Sequence, residues 1–245
     1  AKQNEFRTKH LNEWVGAAAG WMNILHWQKQ AKPLSINDFR GASCHIAVDL
    51  AVKLDANAVA VVFRDGDEYH AFLRFYAPEM AINENDRYRI YRTSGELIET
   101  PGNMTDYAQI EHDIRAICEA HDVQSVAFDP YQSNYISNNL QDSGIPVVTF
   151  GQTLQNMSDP MKELEALIVS RRMWHDGNQM MTWMVGNVVV KPTADGNIKP
   201  LKATRNDPLC KIDGVVALIM ALGRWMEEGE PVNIDDWLKS TKAPT

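Results

Sequence analysis

The chain has 245 residues, of which 44% are hydrophobic and 23% charged, enough for one large or two small domains of an ordinary globular protein. A formal net charge of −8 argues against coating nucleic acid by bulk attraction, but not against a nuclease, whose site must itself be acidic to hold metal. Three cysteines cannot build a disulfide framework, and the longest uninterrupted apolar run, Val215–Leu222, is too short to cross a membrane.

In chain order, residues 1–30 read as helical, with Trp14, Trp21 and Trp27 on a broken apolar pattern that wants a surface to cover. The N-terminus has no apolar signal core, so secretion is not expected. Cys44, Cys118 and Cys210 read as buried free thiols of a reducing compartment. Residues 31–43 read as a linker, so the expected organisation is an N-terminal arm over 1–40, a domain over 41–230 and an acidic tail over 231–245. Strands are predicted at 44–51, 56–64 and 68–76, the last two joined by the Asp65-Gly66-Asp67 turn into an antiparallel meander. Residues 78–104 read as irregular, with a short hairpin near Gly95. Thr105 is the expected cap of a helix whose Tyr107, Ile110, Ile114, Ile117 and Cys118 share one face. A strand at 124–128, a helix at 132–141 and a strand at 146–150 then make the unit of parallel pairing.

Ser158 and Pro160 mark a further helix start, and 179–186 reads as helical. Segments 188–191 and 197–201 flank a hairpin turn at Asp195-Gly196-Asn197. Asp207-Pro208 is expected to open the last long helix, from 209 to about 228. Between Ile168 and Lys211 there are seven basic residues against three acidic ones, which reads equally as a DNA-facing patch or a solvated basic face. Cys118 and His121 lack a second pair to complete a zinc site, and His121 and His175 read as surface histidines.

Three carboxylates stand out. Asp49 and Asp129 each end a strand. If those strands run parallel and adjacent, the two side chains lie roughly 5 Å apart, one inter-strand spacing, at the end of the sheet where open sheets bind ligands. Asp49 alone reads as a strand-terminal turn residue. Asp213, expected in the second turn of the last helix, sits above the apolar stripe of Val216, Ala217 and Met220; pairing with Lys211 or Arg205 is its alternative. Three such carboxylates repel one another unless divalent cations join them, and oxygen ligands favour Mg²⁺ or Mn²⁺.

Four segments in order carry a resemblance. They are Val48-Asp49-Leu50-Ala51 followed by Asp55, Ala127-Phe128-Asp129-Pro130, Gly196 to Lys202, and Lys211-Ile212-Asp213-Gly214 running on to Leu218. With the opening Phe6, Leu11-Asn12, Trp14 and Trp21, they make the chain resemble the C-terminal nuclease domain of the tailed-phage large terminase subunit. That family implies an α/β, RNase H-like fold: a central mixed sheet of five or more strands flanked by helices, with an added β-hairpin. It implies a metal-dependent endonuclease cutting concatemeric double-stranded DNA during packaging in the host cytoplasm, by two-metal phosphodiester hydrolysis with Mg²⁺ or Mn²⁺. Carried over by position, Asp49, Asp129 and Asp213 are the catalytic metal ligands, with Asp55 in the outer shell. Lys199 and Lys202 are expected to contact phosphate, and Lys191, Arg205 and Lys211 join them as DNA contacts. The implied partners are DNA, the ATPase motor domain of the same full-length protein, the small terminase subunit and the portal. The chain has no Gly-Lys dipeptide and so no phosphate-binding loop of the motor type, as expected of one domain of a longer protein. Another RNase H-like nuclease, acting on junctions or RNA–DNA hybrids, and a non-catalytic docking domain are the alternatives.

Overall fold

The computed structural model describes residues 19–51, 55–130, 134–204, 207 and 210–227. The expectations for Phe6, Trp14, Arg205 and the tail lie outside the described residues. Among the described residues the chain forms a 7-stranded mixed sheet, a 3-stranded antiparallel sheet and flanking helices.

The large sheet is built on β2 (Ser43–Asp49), β3 (Asn57–Asp65) and β4 (Glu68–Pro78), an antiparallel meander turned by Gly66 at φ 57°. On the other flank of β2, β6 (Asp122–Phe128) runs parallel to it, and β7 (Val147–Thr149) runs parallel to β6. The far edge of β4 is shared by β5 (Leu97–Thr100) and β8 (Met173–His175), both parallel to it.

Alternation along the strands divides the core into two layers. Cys44, Ile46, Val48, Val126 and Phe128 face α4 (Tyr107–Ala120) and α5 (Asn134–Asp142). Ala47, Ala58, Ala60 and Ala127 face the opposite layer, where α8 (Asp213–Glu227) lies across the sheet with α6 (Leu154–Val169) behind it. Small side chains under α8 let it come close, and α8 is buried nearly all round, as a helix enclosed by other elements should be. Asp49 and Asp129 continue the parity of Ala47 and Ala127, so both belong to the layer that α8 covers.

Several elements differ from the sequence expectations. Residues 78–104 are ordered as α2 (Glu79–Asn83), α3 (Asp86–Thr93) and β5. Gly95 does not turn a hairpin: at φ 80° it follows the end of α3, a C-terminal stop that glycine favours. The charged sequence of α3 hides its two inward residues, Tyr88 and Tyr91. The supposed linker carries a 3-10 turn, Ile36–Phe39, whose Phe39 stacks on Phe63. Asp106 caps α4, while Thr105 Oγ1 accepts from Asn57 Nδ2. Thr153 caps α6, so Pro160 falls inside the helix rather than at its start. His175 and His121 are buried: His175 stacks on Trp27 in the short strand β8, and His121 bonds the Phe39 carbonyl.

Residues 19–40 lie against the rest of the molecule. β1 (Ala19–Gly20) pairs with β9 (Val188–Val190), which pairs in turn with β10 (Leu201–Lys202). Trp27 of α1 (Ile24–Gln28) is fully buried and donates to Thr182 Oγ1 of α7 (Gln179–Gly186).

Candidate metal and nucleic-acid site

The register of β2 on β6 pairs Val48 with Phe128, so Asp49 and Asp129 are the next residues of two adjacent parallel strands. Two further bonds pin the chain leaving β2. Ala51 N–H donates to the buried Asn57 Oδ1 at 2.8 Å, and Tyr107 OH donates to the Ala51 carbonyl at 2.9 Å.

Asp213 enters from above. The last helix begins at Asp213 itself, not near Leu209, so the residue stands in the first turn and not the second. Lys211 and Ile212 are held out of the helix: Asn187 Nδ2 donates to the Lys211 carbonyl at 2.9 Å, and the Lys211 side chain reaches across to Asp55. A Cβ on Gly214 would stand 2.7 Å from the Phe75 ring and 2.9 Å from Met181 Sδ. The absent side chain therefore sets how closely Asp213 approaches the strand ends.

A cleft of about 480 Å³ opens here, with Asp49, Asp55, Gln152, Lys199, Lys202 and Asp213 on its wall. Asp129 stands beside it, its Oδ2 accepting the Gln152 backbone N–H at 3.3 Å. Gln152 Nε2 donates to Asp49 Oδ1 at 2.9 Å, so one residue after β7 holds both strand-end carboxylates. Gln152 carried no signal in the sequence: a lone glutamine beyond a short strand acquires its role only when β7 pairs with β6.

The electrostatics are those of crowded acids. Burial raises the Asp49 carboxyl well above the usual range; the charges of Asp213 and Asp129 add to this, while the Gln152 bond and Lys202 oppose it. Burial also raises Asp213 from 3.8 to about 6, with Asp55 the largest charge acting in the same direction and Lys202 and Lys211 opposing. Asp213 Oδ2 is buried with no hydrogen-bond partner. An ionised oxygen left in that condition costs several kcal/mol, on the order given for desolvated ions, and a cation would relieve it.

The basic residues divide. Lys199 and Lys202 are on the cleft, Lys199 from the segment between β9 and β10 and Lys202 from β10 itself. Ser158 Oγ, accepting from Ile198 N–H at 3.2 Å, ties that segment to α6. Gly196, at φ 74°, turns it as the sequence predicted, although the second strand is β10 and not 197–201. Lys191 is exposed on the same segment. Lys211 is 9% exposed and lies on Asp55, with Nζ 2.5 Å from Oδ2.

The donor set suits a hard divalent cation. Among the described residues no three His, Cys, Asp or Glu side chains are gathered closely enough to ring an ion by themselves. Mg²⁺ asks for less, since it keeps several waters and takes one or two carboxylates beside substrate phosphate.

A family model for the terminase large subunit, endonuclease domain, matches residues 1–230. Protein YmfN of Escherichia coli strain K12 is 38% identical over 254 residues, covering 97% of this chain and 55% of that protein. The terminase large subunit of Enterobacteria phage HK97 is 28% identical over 229 residues, covering 90% and 44%. The chain thus spans about half the length of these relatives. The crystal structure of the HK97 large terminase superposes with a TM-score of 0.74 at 26% identity, over 91% of this chain and 47% of that one. The large terminase nuclease of thermophilic phage G20c, solved with bound magnesium, superposes at 0.52 with 14% identity over 85% and 98%, a likeness of fold.

Proposed function

This chain belongs to the terminase large subunit endonuclease-domain family, and from that membership and the carboxylate cleft we propose that it is a divalent-metal-dependent endonuclease that cuts double-stranded viral DNA during packaging. The observation that carries this reading is the pair of Asp213 and Asp49, both pushed towards protonation, with Asp213 Oδ2 buried and unpartnered. Asp49, Asp129 and Asp213 are the residues that would hold Mg²⁺ or Mn²⁺. A bound ion there would supply a water of lowered pKa and charge neutralisation at the leaving oxygen.

The protein's own groups do the rest. Gln152 fixes the facing of Asp49 and Asp129, and the pinned Ala51 keeps Asp49 at its strand end. Lys199 and Lys202 hold the phosphate backbone over the cleft, with Lys191 at the rim. The proposed partners are double-stranded DNA, the ATPase motor domain of the full-length protein, the small terminase subunit and the portal, in the host cytoplasm.

The test is conversion of supercoiled plasmid to nicked and linear forms at low salt, with Mn²⁺, Mg²⁺ or EDTA, beside Asp213→Asn. Cleavage that requires metal and falls at least about 100-fold in the variant is expected, the scale for removing one group that stabilises developing charge. Cleavage in EDTA, or full activity in Asp213→Asn, would defeat the proposal.

A further inference from the structure

Resting on the nuclease reading above, we propose that the groove between α1, α3 and α7 is a further phosphate site for the duplex held in the cleft, with Arg87 as the residue that grips it.

The groove holds about 440 Å³, and Arg87, Tyr91, Gln179, Trp183 and Asn187 stand on its wall. Its lining has one cation and no carboxylate. Two other grooves carry two carboxylates each, Glu96 with Asp176 and Glu79 with Glu84, and suit an anion poorly. α3 has three arginines. Arg89 is ion-paired with Asp86 and Arg92 with Glu99, whereas Arg87 has no ion pair among the described residues. Arg87 is exposed, yet it is held in place. Its guanidinium carbon lies 5.5 Å from the centre of the Trp183 ring, within cation–π range, and it hydrogen-bonds the Tyr91 hydroxyl. Stacking uses the face of a guanidinium and leaves N–H groups on its edge, in the fork that matches a phosphate.

Two ties place the groove beside the cleft. Tyr88, next to Arg87 in the chain, donates its hydroxyl to Asp55 Oδ1 at 3.1 Å, and Asp55 is on the cleft wall. The carbonyl of Asn187, on the groove wall, accepts the Ala203 N–H at 2.9 Å, one residue past Lys202 of the cleft. The basic segment over the cleft therefore ends at the groove. Each strand of a duplex carries a phosphate about every 3.4 Å of axis, so a backbone running on past Lys202 reaches Arg87 within a few nucleotides. Arg87 thus acts on how the duplex is held and not on the bond that is cut.

The test is binding of a labelled DNA duplex to the 245-residue protein in EDTA, followed over a range of salt. Arg87→Gln is expected to weaken binding and to make the salt slope shallower by about one unit, the effect of losing one phosphate contact. Arg89→Gln removes the same charge from the same helix, but from an arginine already paired with Asp86, and should keep the wild-type slope. Both side chains are exposed, so neither change should disturb folding. A wild-type slope in Arg87→Gln, with Lys199→Ala and Lys202→Ala still flattened, would overturn this inference, leave the nuclease reading intact and leave the groove to an acidic protein segment. Equal flattening by Arg89→Gln would overturn it too, since the effect would then be one of bulk charge. No duplex bound and no plasmid cut by the wild type would take down the nuclease reading, and this inference with it.

Discussion

Asp213 carries a sign that can be measured. Its folded pKa of about 6 lies above its ordinary 3.8. The fold thus prefers the protonated acid, and the stability this preference gives is complete below about 4 and lost as pH rises through about 6. At pH 8 without metal the ionised group is a liability on the order of 2–3 kcal/mol, taking about 1.4 kcal/mol per pKa unit. Asp213→Asn should therefore raise the melting temperature of the metal-free protein at pH 8, and the difference from wild type should close as the pH falls from 6 to 4. A variant less stable than wild type at pH 8 would contradict this. Gln152→Ala tests the residue that holds Asp49. Loss of an outer-shell bond of this kind lowers metal affinity by about 10–100-fold, so Mn²⁺ should stabilise the variant only at correspondingly higher concentration; an unchanged titration would leave Gln152 without this role. The three aspartates were legible because a carboxylate ending an apolar strand, or riding an apolar helix stripe, conflicts with its surroundings. Gln152 conflicts with nothing in its own segment, so only the folded chain reveals it.

At the scale of elements, the site depends on how closely α8 lies on the sheet. Alanine at Gly214 would meet Phe75 at 2.7 Å, and at Gly223 would meet Phe150 at 2.7 Å. Overpacking of this kind costs typically about 1–3 kcal/mol, more than the ~1 kcal/mol that alanine gains over glycine in a free helix. Gly214→Ala should lower the urea midpoint and also weaken Mn²⁺ binding, since it displaces Asp213. Gly186→Ala is the control: it meets nothing within 4 Å, and its urea midpoint should hold or rise. The strand order was readable in part, because the turn at Gly66 and the strand–helix–strand unit leave few ways to pair. The start of α8 was not. Asp207-Pro208 carries a standard opening signal, but the tie from Asn187 to Lys211, 24 residues apart, fixes the residues just before Asp213 outside the helix. Long-range bonds of this sort, and the inward tyrosines of α3, leave no periodic trace.

For the whole molecule, a net charge of −8 repels DNA at long range, so binding has to come from the basic segment over the cleft. Each phosphate contact released makes affinity less salt-dependent, by about one unit of slope. Lys199→Ala and Lys202→Ala should each flatten the salt dependence of duplex binding in EDTA by roughly that amount, while an unchanged slope in both would remove them from the interface. The most direct test of the whole account is diffraction from Mn²⁺-soaked crystals above and below the manganese absorption edge. The account predicts an anomalous peak bounded by Asp49, Asp129 and Asp213. Anomalous density only outside the cleft, with all three carboxylates unligated, would contradict it.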